Sequence, residues 1–250
     1  MVKLRHGVAM KSVGMSKETA EKRGFIGRLF IPVPFPTQKS RELKDGKFEL
    51  SHHNYLFKAE GMVPRGIGAR LLIVSLSTHL ARQKKLQIPV RDLLLISPSR
   101  RSRESMKKAI ERFSNTTFLW ERRGGKPLSD IRFEIKYKRF IVQESFFDEV
   151  TSRPVPIDLN VVERLRGSAL ALDLYFWLVY KTYYQRSKIT IPWKDLKQQF
   201  GQSYANDSSG RQWFEKSIRV HFRKIYLLCE YPMLSIDGQG INFKFPGSKL

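Results

Sequence analysis

Ile88-Pro89-Val90-Arg91-Asp92-Leu93 recurs as Ile191-Pro192-Trp193-Lys194-Asp195-Leu196, 103 positions further along the chain. Proline suits the first turn of a helix, where its missing amide donor costs nothing. The isoleucine before it is pushed toward extended backbone. Each copy therefore reads as a short strand turning into a short helix, near residues 90–96 and 193–200. Before each copy lies an apolar helix pattern, Ala69 to Gln83 in one half and Ser168 to Gln185 in the other. A basic connector follows each pattern, Lys84-Lys85 or Arg186-Ser-Lys188. After each copy come a polar break, a basic amphipathic helix and a strand pair. The pairs are Thr116–Glu121 with Ile131–Tyr137, and Met233–Ile236 with Ile241–Phe245. Asp237-Gly-Gln-Gly240 is good hairpin chemistry, since Asp and Gly tolerate positive φ.

Helix, short strand, helix, basic helix, hairpin is the order of a winged helix. The expected fold class is α+β, with two tandem winged-helix domains at 46–150 and 151–250. Residues 1–24 are basic and polar and read as a flexible arm. In Ile31-Pro-Val-Pro-Phe-Pro36 three prolines remove amide donors and exclude a helix, so the arm and a Pro-rich linker extend to residue 45.

The 250 residues carry 46 Lys and Arg against 23 Asp and Glu, a formal charge of +23. Such an excess attracts polyanions. With 41% hydrophobic and 12% aromatic residues the chain builds real cores, which excludes a disordered basic tail. Cys229 is the only cysteine, so no intramolecular disulfide forms and a reducing cytoplasm is the expected compartment. The longest apolar run, Ala169 to Tyr184, is broken by Asp173, Lys181 and Thr182 and reads as a buried helix.

In a helix-turn-helix the basic helix lies in the major groove. On Ser99–Phe113, Met106, Ala109, Ile110 and Phe113 share one side, and Arg101, Glu104, Lys108 and Arg112 lie opposite. Arg100, Arg101 and Arg103 crowd its start, and Lys107 adds to the charge. On Ser209–Cys229 the apolar face is Phe214, Ile218, His221, Ile225 and Leu228. Gln212, Lys216, Arg219 and Arg223 line the other face, with Arg211 before them. Gln reads adenine and Arg reads guanine through paired hydrogen bonds. The competing reading is a solvated cationic face. Arg122, Arg123 and Lys126 sit at the tip of the first strand pair, as wing contacts to phosphate or as an exposed basic turn.

Catalytic patterns are sparse. No Gly-x-x-x-x-Gly-Lys-Ser/Thr loop is present, so ATP-driven unwinding is not expected. His52-His53 are adjacent and their side chains diverge, unlike the paired histidines of a rolling-circle nickase. His79-Leu-Ala-Arg82 matches the His-x-x-Arg of tyrosine recombinases over four residues only, at the end of a core helix. One cysteine excludes a cysteine-rich zinc site. Trp177, Tyr180, Tyr183 and Tyr184 can stack bases, but their helix is apolar nearly all round and reads as core. The expectation is a non-enzyme without catalytic residue, metal or cofactor. A nickase or recombinase, and an RNA-binding or membrane-surface protein, are the alternatives from other classes.

Val155-Pro-Ile-Asp-Leu159, Leu165-Arg-Gly-Ser-Ala-Leu-Ala-Leu-Asp-Leu-Tyr-Phe-Trp-Leu-Val-Tyr180, Ile191-Pro-Trp-Lys-Asp-Leu196 and Gln199-Phe-Gly201 form a long, specific block. It resembles the plasmid-encoded RepA family of replication initiators. Pro64-Arg-Gly66 leading into Ala69-Arg-Leu-Leu72, and Glu144-Ser-Phe-Phe-Asp-Glu149, extend the resemblance over roughly residues 60–230. The resemblance implies binding to repeated sites in origin double-stranded DNA, opening of the duplex, and recruitment of the host replication initiator and replicative helicase. It also implies plasmid copy control, with homodimers repressing their own promoter. The arm before residue 46 has no counterpart in it. A transcriptional regulator using the same domains is the alternative within this class.

Overall fold

The structure of the protein, a computed structural model, describes residues 22–31, 34–36, 46–52, 54–96, 99–122, 124–125, 127–184, 189–201, 203–229 and 234–243. It is an α+β fold with one continuous hydrophobic core.

Helix α1 (Gly66–Gln83) is the spine of the first half, with Ala69 to Thr78 buried without a break. It ends at Lys84, in the left-handed region (φ 54°), whose amide bonds Leu80 O. Next come β4 (Gln87–Pro89), the one-turn α2 (Val90–Leu93) and the basic helix α3 (Arg100–Ser114). Gly68 lets α1 and α3 touch, because a Cβ there would stand 2.2 Å from Ser105 O. The second half repeats the order with α6 (Ala169–Tyr184), β10 (Ile189–Pro192), α7 (Trp193–Phe200), α8 (Ser208–Cys229) and the hairpin β11 (Leu234–Ile236)–β12 (Gly240–Phe243). Pro89 and Pro192 sit where the repeat places them, each the residue at which a strand becomes a helix.

The expected first strand pair forms, with Phe118 opposite Ile131, but inside a larger sheet and with its second strand at 128–131 rather than 131–137. β5 (Thr116–Arg122) and β6 (Leu128–Ile131) belong to a four-stranded sheet ordered β2-β3-β5-β6, with β2 (Lys47–His52) and β3 (Tyr55–Gly61) before α1 in the chain. The hairpin equivalent to β11–β12 is β7 (Glu134–Lys136)–β8 (Arg139–Ile141). β8 pairs with β4 as β12 pairs with β10, giving sheets β4-β8-β7 and β10-β12-β11. Tyr137 and Lys138 form its tip, both at positive φ (49° and 59°), the backbone of a two-residue hairpin turn. The inserted sheet lays Phe48, Phe57, Phe118 and Trp120 on one face, where they meet Phe35, Phe113 and Phe146. That aromatic payload explains its presence, since burying such rings is the largest apolar gain per residue.

The two halves meet through β1 (Arg23–Ile26) and β9 (Val155–Asp158) and through α1 and α6. β1 pairs antiparallel with β9, from Arg23 opposite Asp158 to Ile26 opposite Val155. β1 rests on α1, where Phe25 N donates to Thr78 Oγ1 (2.9 Å). β9 rests on α6, where Asp158 N donates to Tyr175 Oη (2.9 Å). Arg70 and Asp173, 103 positions apart like the two hexapeptides, are joined in a buried ion pair (Nη2–Oδ2 2.6 Å). The expected arm ending at residue 45 is corrected here. β1, Phe30, Ile31 and Phe35 are core, because β9 needs a partner strand and Phe30 fills space between Trp120 and Phe146. Residues 1–21 lie outside those described.

Candidate nucleic-acid interface

Helix α3 is capped by Ser99, whose Oγ accepts from Ser102 N (3.3 Å). Ser102, Met106, Ala109, Ile110 and Phe113 face the core. Arg100, Arg101, Arg103, Lys107 and Lys108 are exposed on the other side. No acidic residue occupies the first turn. Three arginines at a helix N-terminus oppose the helix dipole, a cost of some tenths of a kcal/mol each that an external anion removes. Glu104 accepts from Lys107 Nζ (2.8 Å), and that bond and charge hold its carboxyl below the ordinary range. Arg112, expected among the outward contacts, is part-buried and donates to Val63 O (3.2 Å). Burial, then the charge of Arg65, lowers its pKa. It braces the approach to α1, although 101, 104, 108 and 112 share a helical stripe.

Helix α8 begins where Asp207 Oδ1 accepts from Gly210 N (2.6 Å). Its buried face is Gly210, Phe214, Ile218, Phe222 and Ile225. Phe222 is the residue that the sequence reading missed, in favour of His221, which is only half-buried. Burial, then Lys224, holds the His221 imidazole below its ordinary pKa, 3.4 Å from Ser168 Oγ. Arg211, Gln212, Lys216, Arg219 and Arg223 all reach the surface. Arg211 pairs with Glu215 (3.0 Å). Lys216 Nζ stands 5.1 Å over the exposed Trp213 ring. Arg219 is committed inward: its guanidinium donates to Ile236 O (3.3 Å) and Asp237 O (2.9 Å) and lies 5.1 Å over the Trp193 ring. It fastens hairpin β11–β12 to the helix. Gln212 and Arg223 remain on the outer face, with Val220 between them.

Arg122 ends β5 opposite Tyr55, 5.8 Å over that ring. Tyr55 reaches Tyr180 of α6, whose phenol is pushed up chiefly by burial. Arg122 stands exposed where β5 ends, at the tip of the β5–β6 pair and at the junction of the inserted sheet with α6. Arg123 and Lys126 lie outside the described residues. Of the aromatics expected in the core of α6, Trp177 is buried and Tyr180 part-buried, whereas Tyr183 is 46% exposed and the side chain of Tyr184 lies outside those described. Among the described residues no group of His, Cys, Asp and Glu is placed to hold a metal, and no helix is long and apolar enough to cross a membrane.

Residues 127–194, spanning the first hairpin, α4 (Glu144–Ser152), β9, α5 (Leu159–Leu165), α6 and β10, match the family model described as plasmid encoded RepA protein. The chain is similar to RepA. Its fold is similar to that of domains 2 and 3 of RctB, at a TM-score of 0.55 and 12% identity over 88% of this chain and 96% of that one. A second structure of RctB domains 2–3 gives a TM-score of 0.50 and 14% identity over 78% and 82%. No curated protein matches the sequence.

Proposed function

We propose that this RepA-like chain is a plasmid replication initiator that binds repeated sites in origin double-stranded DNA, helps open the duplex and recruits host replication proteins. The observation that carries it is the packing together of two units built in the same order, each holding a basic helix with its apolar side on the core and its cationic side outward. Each unit is read as a winged helix, with α3 and α8 as the recognition helices. Two readers in one rigid body address successive major-groove segments about 34–36 Å apart. Linking them raises the effective concentration of the second contact. Bending a site of that length costs of order 1–6 kcal/mol, which added contacts offset, and the strain favours melting of adjacent AT-rich DNA. The reading assigns no catalysis to the chain.

Selection of bound duplexes from a random library tests it. Enriched direct repeats, maintenance of a plasmid carrying them only when this chain is supplied, and permanganate-reactive thymines beside them are the expected results. Repeats that are bound but do not support maintenance identify a transcriptional regulator instead.

A further inference from the structure

The two hairpins occupy the same place and carry opposite charge. Val90 N donates to Lys138 O (2.9 Å), and Trp193 N, the equivalent of Val90, donates to Gln239 O (3.2 Å). Pro89 stands opposite Arg139 in one ladder and Pro192 opposite Gly240 in the other. These registers align Lys136-Tyr137-Lys138-Arg139 with Asp237-Gly238-Gln239-Gly240. The first tip carries three cations and a tyrosine whose surface is 95% exposed. The second carries one carboxylate, held below its ordinary pKa by the amides of Gln239 and Gly240 and by the Asn242 side chain. Its surroundings are also filled, since Trp193 Nε1 bonds Asp237 O (3.2 Å) and Arg219 bonds the same carbonyl. At the first hairpin Val90 replaces the tryptophan, and a cleft stays open between Val90, Leu94, Ile110 of α3, Ile135 and Tyr137, with Arg91, Lys138 and Arg139 at its edges.

We infer that the β7–β8 tip, through Lys136, Lys138, Arg139 and Tyr137, is a nucleic-acid contact of the first unit, and that the second hairpin makes no phosphate contact and only braces α8. The inference rests on the duplex-binding reading and gives it a direction: the protein grips DNA asymmetrically despite its internal repeat. The cations suit phosphates flanking a groove. The exposed ring at the apex is of a size to enter a minor groove and lean on its sugars, as apolar wedges of architectural proteins do. Tyr137 occupies a left-handed position of the turn (φ 49°) and is open to such a contact.

The test is the salt dependence of binding of the full chain to a mixed-sequence duplex several turns long. The variant Lys136→Gln/Lys138→Asn/Arg139→Gln keeps an αL-tolerant residue at position 138. It should lower the log–log salt slope by about 2–3 and leave the thermal midpoint unchanged. Gln239→Ala should leave the slope as it is. Tyr137→Asn should weaken binding about fivefold or more with the slope retained, and Tyr137→Phe should restore it. An unchanged slope in the triple variant, while Arg101→Ala and Lys108→Ala lower it, overturns the hairpin contact and leaves the duplex reading standing. A wild-type chain without salt-dependent duplex binding overturns both.

Discussion

Arg219 and Arg223 stand one helical turn apart on α8, with the same side chain and the same nominal face. Arg219 spends its donors on Ile236 O and Asp237 O and its planar surface on Trp193. Arg223 carries no such attachment in the contacts that hold the hairpin. Arg219→Ala is therefore expected to cost about 1 kcal/mol of stability and to speed amide exchange in β11–β12. Arg223→Ala should leave stability alone and shift base preference by about 1–3 kcal/mol at one position, measured by competition between duplexes. Equal effects of the two on base preference would sink this assignment. His221 gives a second residue-scale expectation. Its folded pKa lies below the ordinary value, so between the two values the unfolded chain binds the proton more readily. Stability from this site is complete above about pH 6.5 and falls as the pH drops through the folded value. The thermal midpoint should fall on acidification through that window, and less so in His221→Gln.

At the scale of elements the buried Arg70–Asp173 pair joins α1 to α6. Burial pushes the Asp173 carboxyl up, and the Arg70 guanidinium opposes that push. Arg70 also donates to the carbonyls of Phe35, Pro36 and Gly66, so it ties the N-terminal segment to the junction as well. Removing one partner strands a buried charge. Arg70→Ala or Asp173→Ala is expected to cost about 3–5 kcal/mol in denaturant unfolding, whereas Arg70→Met/Asp173→Leu should recover most of it. A single-site loss below about 1 kcal/mol would show that the pair is not sealed from water.

At the scale of the whole molecule the two halves share one core. The β1–β9 ladder, the Arg70–Asp173 pair, the Gln198 Nε2 bond to Ser51 O (3.3 Å) and the Gln199 Nε2 bond to Ile31 O (3.1 Å) all cross between them. Unfolding should be a single transition, coincident by circular dichroism and by tryptophan fluorescence, because neither half buries its junction face alone. Two separated transitions would mean independent domains. A rigid pair also fixes the spacing of α3 and α8, so inserting five base pairs between the halves of a selected site should abolish binding rather than weaken it.

The α+β class, both basic helices and the second hairpin are legible in the hexapeptide repeat and its flanking periodicities. These follow from local rules: a proline at a first turn, an apolar stripe at helical spacing, Asp and Gly at a tight turn. The tertiary structure alone decided what depends on partners distant in sequence. β5 looks like half of a hairpin until β3, some 60 residues upstream, is seen to claim its other edge. Phe30 and Phe35 look like parts of a proline-rich linker until the inserted sheet supplies a pocket for them. Arg112, Arg122 and Arg219 carry the charge of DNA contacts, and only the fold shows the partner each also holds within the protein. Periodicity assigns a residue to a face of its own element, and only the packing of elements decides what that face meets. Two units are legible in the repeat, whereas packing between residues distant in sequence sets their shared core and their unequal hairpins.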